Sequence, residues 1–169
     1  TRLYFLSWIV NLNISYSIGQ HLMFNLNYEV MFSVVGILSF IGWAALIFSP
    51  LRLVPLVLTA RIISLLLAII YTYFLVALWG NETKIDFSSL AGVSHGFSDM
   101  GNLLTGWIHF LAIDLFIGAW QVERAKKIGI KHVILLPCLI LTFLVGPLGM
   151  LLFLLIESVK TKSIQFKNY

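Results

Sequence analysis

Three residues of this sequence sit where apolar neighbours give them no obvious solvation: Arg61, His109 and Asp114. A charged side chain inside a hydrophobic helix costs roughly 2.5–3.5 kcal/mol on insertion scales, so each needs a partner or a task. A carboxylate or an imidazole can move protons. A guanidinium can polarise an oxygen or hold a carboxylate in place. Arg61 lies about 12 Å from the start of its apolar segment and Asp114 about 12 Å from the end of its own, at about 1.5 Å per residue. Both distances start from the same side, so an Arg61–Asp114 ion pair is expected. It serves either as a packing lock or as part of a reactive site.

His109 and Asp114 are five positions apart in the sequence, so they point about 140° apart on a helix and form no side-by-side dyad. Trp107, Asp114, Gly118 and Gln121 share one face, and His109, Ile113, Phe116 and Trp120 share another. If both polar residues avoid lipid, their helix is central. His109 is either a proton-transfer group or a structural histidine bonded to a neighbouring helix. Tyr71, Trp107, Phe110 and Trp120 are candidate walls for an apolar ligand, with the interfacial aromatic belt as the alternative for those near helix ends.

The elements that must position these residues follow from composition. Of 169 residues, 60% are hydrophobic and 11% charged, against about 25% charged in a soluble domain. Mean hydropathy is +0.97. The expected fold is all-α, an integral membrane bundle of four transmembrane helices occupying residues 29–158. The spans are placed at about 30–48, 53–79, 103–122 and 133–156. Residues 1–28 carry too many Asn, Ser and Gln for a full span and are expected as an amphipathic, interfacial or targeting-derived segment. Residues 159–169 form a basic tail. The connection 81–102 has a Ser/Gly-rich middle, Phe87 to Phe97, expected along the membrane surface. Ser49-Pro50 and Gly80-Asn81 are stop and turn signals. Gly146-Pro147 is expected to kink the fourth helix. Four spans place both ends on one side, and the short basic connections weakly favour the cytoplasmic or organellar-equivalent face.

Several chemistries are excluded. The single cysteine, Cys138, allows no intrachain disulfide and no thiolate zinc site. No HxxxH or ExxH spacing suggests a metal, and no glycine-rich loop cradles a nucleotide. The net charge of +4 lies in short clusters beside apolar segments, with no basic stripe for nucleic acid. His95 and His132 are expected as solvated loop residues. Asn81-Glu82-Thr83 fits a glycosylation sequon.

The stretch Gly106 to Trp120, GWIHFLAIDLFIGAW, resembles the signature of the neoxanthin-synthase-like family, named for abscisic-acid-deficient plants. Gly129-Ile130-Lys131-His132, Pro137-Cys138-Leu139 and Gly146-Pro147-Leu148-Gly149 resemble its next blocks. Phe32-Ser33, Gly42-Trp43 and Phe48-Ser49-Pro50 resemble its first helix. The resemblance covers roughly Val30 to Ile156.

That resemblance implies a four-helix protein of a plastid or bacterial inner membrane. In plants the family is associated with converting violaxanthin to neoxanthin, an isomerisation that needs no redox cofactor. It implies an apolar pigment as ligand and membrane lipid as surroundings. Such chemistry needs a base and a group at the oxygen, and the residues themselves, not the resemblance, suggest Asp114 or His109 as base and Arg61 polarising the oxygen or holding Asp114. Two other classes stand beside it: a non-catalytic subunit of a larger membrane complex, and a small transporter. Three polar positions are few for a water-filled path.

Overall fold

The computed structural model describes residues 27–51, 55–78 and 85–161. Residues 1–26, Arg52, the Gly80-Asn81 turn, the 81–83 sequon and the tail from 162 lie outside them. The described residues are all-α: α1 (Tyr28–Ile47), a 3-10 turn (Ser49–Leu51), α2 (Leu56–Ala77), α3 (Leu90–Gly96), α4 (Met100–Ile128) and α5 (His132–Thr161). Four of these helices, α1, α2, α4 and α5, are long and apolar enough to cross a membrane.

Local chemistry sets most boundaries. A helix leaves its first N–H groups unpaired, and a short polar side chain ahead of it can accept them. The Asn27 Oδ1 accepts from Glu29 N–H at 3.0 Å and Val30 N–H at 3.3 Å. Ser89 Oγ accepts from Gly92 N–H at 3.1 Å, and Asp99 Oδ1 from Asn102 N–H at 2.9 Å. At the other end of α4, Gly129 has φ +72°, a left-handed conformation that suits glycine. Ile130 N–H then reaches back to the Ala125 carbonyl at 2.9 Å and Gly129 N–H to that of Lys126 at 3.4 Å. This is the paired closure that ends many helices at glycine.

α4 therefore runs six residues past the expected 122. The apolar pattern stops at Val122, but Glu123 to Lys127 are good helix formers and nothing breaks the helix before Gly129. α3 lies in the Ser/Gly-rich middle of the 81–102 connection, and Phe87 just ahead of it and Leu90 at its start are strongly exposed. α5 contains Pro147, which has no N–H to continue a helix from the residues before it. Its backbone is non-helical at Val145, φ −147° and ψ 67°, as the expected kink requires. The helix thus has two arms, residues 132–144 and 146–161.

The chain divides into two compact units. Unit 1 holds residues up to Val34 together with Ile69–Trp107. Unit 2 holds Val35–Ala68 and everything from Ile108. In unit 1, α3 is held by Asn102 Nδ2 donating to the Gly96 carbonyl at 3.0 Å. The Phe97 ring lies over Gly106, whose missing side chain leaves room for it. In unit 2 the core centres on α4. Leu115 packs into Gly42 of α1, and Trp43 and Leu46 of α1 lie over Gly118. Ser64 of α2 donates to the Ala112 carbonyl at 2.9 Å.

Candidate functional site

The site residues in unit 2 are placed by α4 and the break in α5. Asp114 is half-buried on α4. Its carboxyl group lies directly against Gly146, so closely that a Cβ at that glycine would overlap Oδ1 and stand 2.8 Å from Cγ. Glycine at 146 is what allows the approach. Among the described residues Asp114 has neither an ion-pair partner nor a hydrogen bond.

The expected Arg61–Asp114 pair is not formed. Arg61 Nη2 meets Glu123 Oε2 at 2.5 Å, and the pair is substantially exposed. The reason lies in the helix ends. α2 begins at Leu56 and α4 ends at Ile128, so Arg61 and Glu123 each lie about 7.5 Å from their ends at about 1.5 Å per residue. Depth matching was sound, but the ends it started from were not.

His109 does not share the cover given to Asp114. It is exposed, in line with Phe110, Ile113 and Phe116 on the outward face of α4. The expectation that both polar residues are covered is thus corrected. α4 still contacts α1, α2 and α5 within unit 2, through Leu115, Ala112 and Asp114. Its partners are crowded onto the Ala112–Leu115–Ala119 side, where small residues let helices approach.

Two further polar links join α4 to α5. Gln121, fully buried, donates from Nε2 to Thr142 Oγ1 at 3.0 Å, and the Thr142 hydroxyl reaches the Cys138 carbonyl at 2.8 Å. Arg124 meets the buried Glu157 at 2.5–2.6 Å through Nη2 and Nε. The sequence did not single out Glu157 or Arg124 as partners. One signal was present: Gly149, Phe153 and Glu157 recur at the four-residue spacing of one helix face. His132, expected to be solvated, opens α5 and bonds through Nε2 to the Ile47 carbonyl at 2.9 Å, covering the end of α1.

The aromatic candidates part company. Phe110 is exposed, and the half-buried Trp120 stacks edge-on against Phe153 at 5.3 Å. In unit 1, Trp107 is largely exposed and meets Phe32 at 5.7 Å, while Tyr71 is half-buried.

Chemically, the arrangement offers one carboxyl group at a helix break. A carboxyl group can take up and release a proton, the property general acid–base work uses.

Neither a curated protein nor a solved structure matches the chain. A family model does: the ABA DEFICIENT 4-like (ABA4-like) family matches residues 30–153, most of the chain and all of the helices just described except the first two residues of α1 and the last turns of α5, and the chain belongs to that family.

Proposed function

We propose that the protein isomerises an epoxy-xanthophyll, with Asp114 as the group that moves the proton. The family's name connects it to abscisic-acid deficiency. The xanthophyll chemistry comes with the neoxanthin-synthase-like resemblance of the sequence. The observation that carries the residue assignment is the Asp114 carboxyl group, in neither described salt bridge, within electrostatic reach of His109 and set against the break in α5.

The reaction balances within the substrate. A base removes the proton from the carbon next to the epoxide. The electron pair of that C–H bond becomes the second double bond of an allene. The epoxide C–O bond breaks toward oxygen, which takes a proton and leaves a tertiary alcohol. No electrons are exchanged with a cofactor. Asp114 can take the first proton and return it. Arg61 is engaged by Glu123 and does not hold Asp114. His109, exposed on α4 and within electrostatic reach of Asp114, is the alternative base.

The test is Asp114→Asn, expressed in a host that accumulates violaxanthin, with pigments then separated. Loss of a general base lowers turnover about 10²–10⁴-fold. Unchanged allenic product removes Asp114 from the mechanism. Purification in mild detergent separates the other class: a coloured protein supports pigment handling, and a colourless stoichiometric complex supports a non-catalytic subunit.

A further inference from the structure

We infer that α5 is a re-entrant hairpin: it enters from the end of α4, turns at Val145 against Asp114, and returns to the side it came from. α4 serves as the ruler. Along α5, Thr142 meets Gln121, and Gly146 meets Asp114, further from the α4 C-terminus. Beyond the break the order reverses. Phe153 meets Trp120 and Glu157 meets Arg124. From Gly146 to Glu157 the chain advances about 16 Å, and from Asp114 to Arg124 about 15 Å, at about 1.5 Å per residue. The two distances match only if the second arm runs back along α4. A straight continuation would leave Glu157 about 30 Å from Arg124 on the same rise, yet the two are in contact at 2.5 Å.

A further contact agrees. The atoms nearest a Cβ at Gly149 are backbone and hydroxyl atoms of Thr142 and, at 2.6 Å, the Cys138 carbonyl oxygen. In a straight helix Cys138 and Gly149 stand about 16 Å apart. The chain has doubled onto itself, and Gly149 is where the arms touch.

The physics suits the arrangement. The arms, 132–144 and 146–161, are about 20 and 24 Å long at about 1.5 Å per residue, each short of the roughly 30 Å hydrocarbon core. Only their sum has the length and hydropathy of a crossing helix. Gly146 at the turn is buried against Asp114, while Val145, the non-helical residue itself, is exposed. Pro147 falls in the first turn of the returning arm, where a missing N–H costs nothing. Gln121–Thr142 ties down the entering arm, and Arg124–Glu157 the returning one. Thr161 therefore emerges on the side of the 129–131 connection, and Asp114 faces the tip of a hairpin in place of the flank of a crossing helix.

Single cysteines in a Cys138→Ala background test this. Lys131→Cys and Lys160→Cys are each expressed in membranes and treated, in sealed right-side-out and in inverted vesicles, with a charged, impermeant maleimide. Both are expected to label from the same face. Labelling of Lys160→Cys from the face opposite Lys131→Cys overturns the hairpin. Charge exchange gives a second, independent readout. Arg124→Glu and Glu157→Arg should each lower the yield of folded protein in detergent, and the double exchange should restore most of it. Failure of the exchange to rescue either single variant also counts against the returning arm.

Discussion

Replacing Gly146 by alanine tests the contact on which the candidate site rests. The new methyl group would overlap Asp114 Oδ1, with Cγ at 2.8 Å and Oδ2 at 3.0 Å. Separations below 3.0 Å force a shift, and the shortest is to the end of a side chain with two rotatable bonds. Rotation of the carboxyl group, and not movement of α5, is the cheaper relief. Overpacking of this kind costs about 1–3 kcal/mol. Alanine also restricts the unfolded chain, a gain of about 0.4–1 kcal/mol, and meets the steric limits of a residue before proline. Those two effects are the same whatever residue stands at 114. In an Asp114→Ala background the overlap disappears. The cycle of Gly146→Ala, Asp114→Ala and the double variant should therefore show a coupling of about 1–3 kcal/mol, the double being less destabilised than the sum. Equilibrium unfolding in mixed micelles measures it. Additivity within about 0.5 kcal/mol would mean that the carboxyl group does not lie against the break.

Three further outcomes follow from the same geometry. Glu157→Gln leaves Arg124 facing an uncharged group in a buried setting and should cost about 3 kcal/mol or more, whereas Glu123→Gln at the exposed Arg61 pair should cost about 1 kcal/mol or less; comparable losses in a detergent-unfolding series would refute the distinction. Thr142→Val strands the buried Gln121 amide and should cost about 1–3 kcal/mol, while Gln121→Leu should be milder, because the Thr142 hydroxyl keeps the Cys138 carbonyl; the reverse order in thermal denaturation would refute it. Hydrogen bonds from the Ser88 side chain, then its backbone N–H, hold the Asp86 carboxyl group below the usual carboxylate range. A depressed folded value gives stability that is present above the unfolded value and lost as pH falls through the folded one. The turn ahead of α3 should thus stay formed at neutral pH and loosen only in acid. Ser88→Ala should move the Asp86 titration upward in carboxyl-carbon NMR, and an unmoved titration would contradict the assignment.

The site was only partly legible in the sequence. Asp114 was visible because a carboxylate in an apolar run is costly wherever the helix packs. Its neighbour was not, because Gly146 differs from any other small residue only once α5 has turned. Arg61 was matched to the wrong acid because hydropathy marks where a helix leaves apolar surroundings, not where it ends. The added turns of α4 bring Glu123, Arg124 and their partners into play. His109 shows the same limit from the other side: spacing separated it from Asp114 by angle but could not say which direction faced protein.

What the sequence determined by itself is what local chemistry and solvent preference fix. Apolar runs of spanning length set four long helices, each long and apolar enough to cross a membrane. Proline at 147, lacking an N–H, sets a break in the last helix. What only the tertiary structure decided is where the chain goes after that break. A proline frees the backbone to turn without choosing an angle. The choice is made by contacts between residues distant in sequence, Gln121 with Thr142, Asp114 with Gly146 and Arg124 with Glu157. Their order along α4 sends the second arm of α5 back beside the first, and no pattern within α5 alone encodes that order.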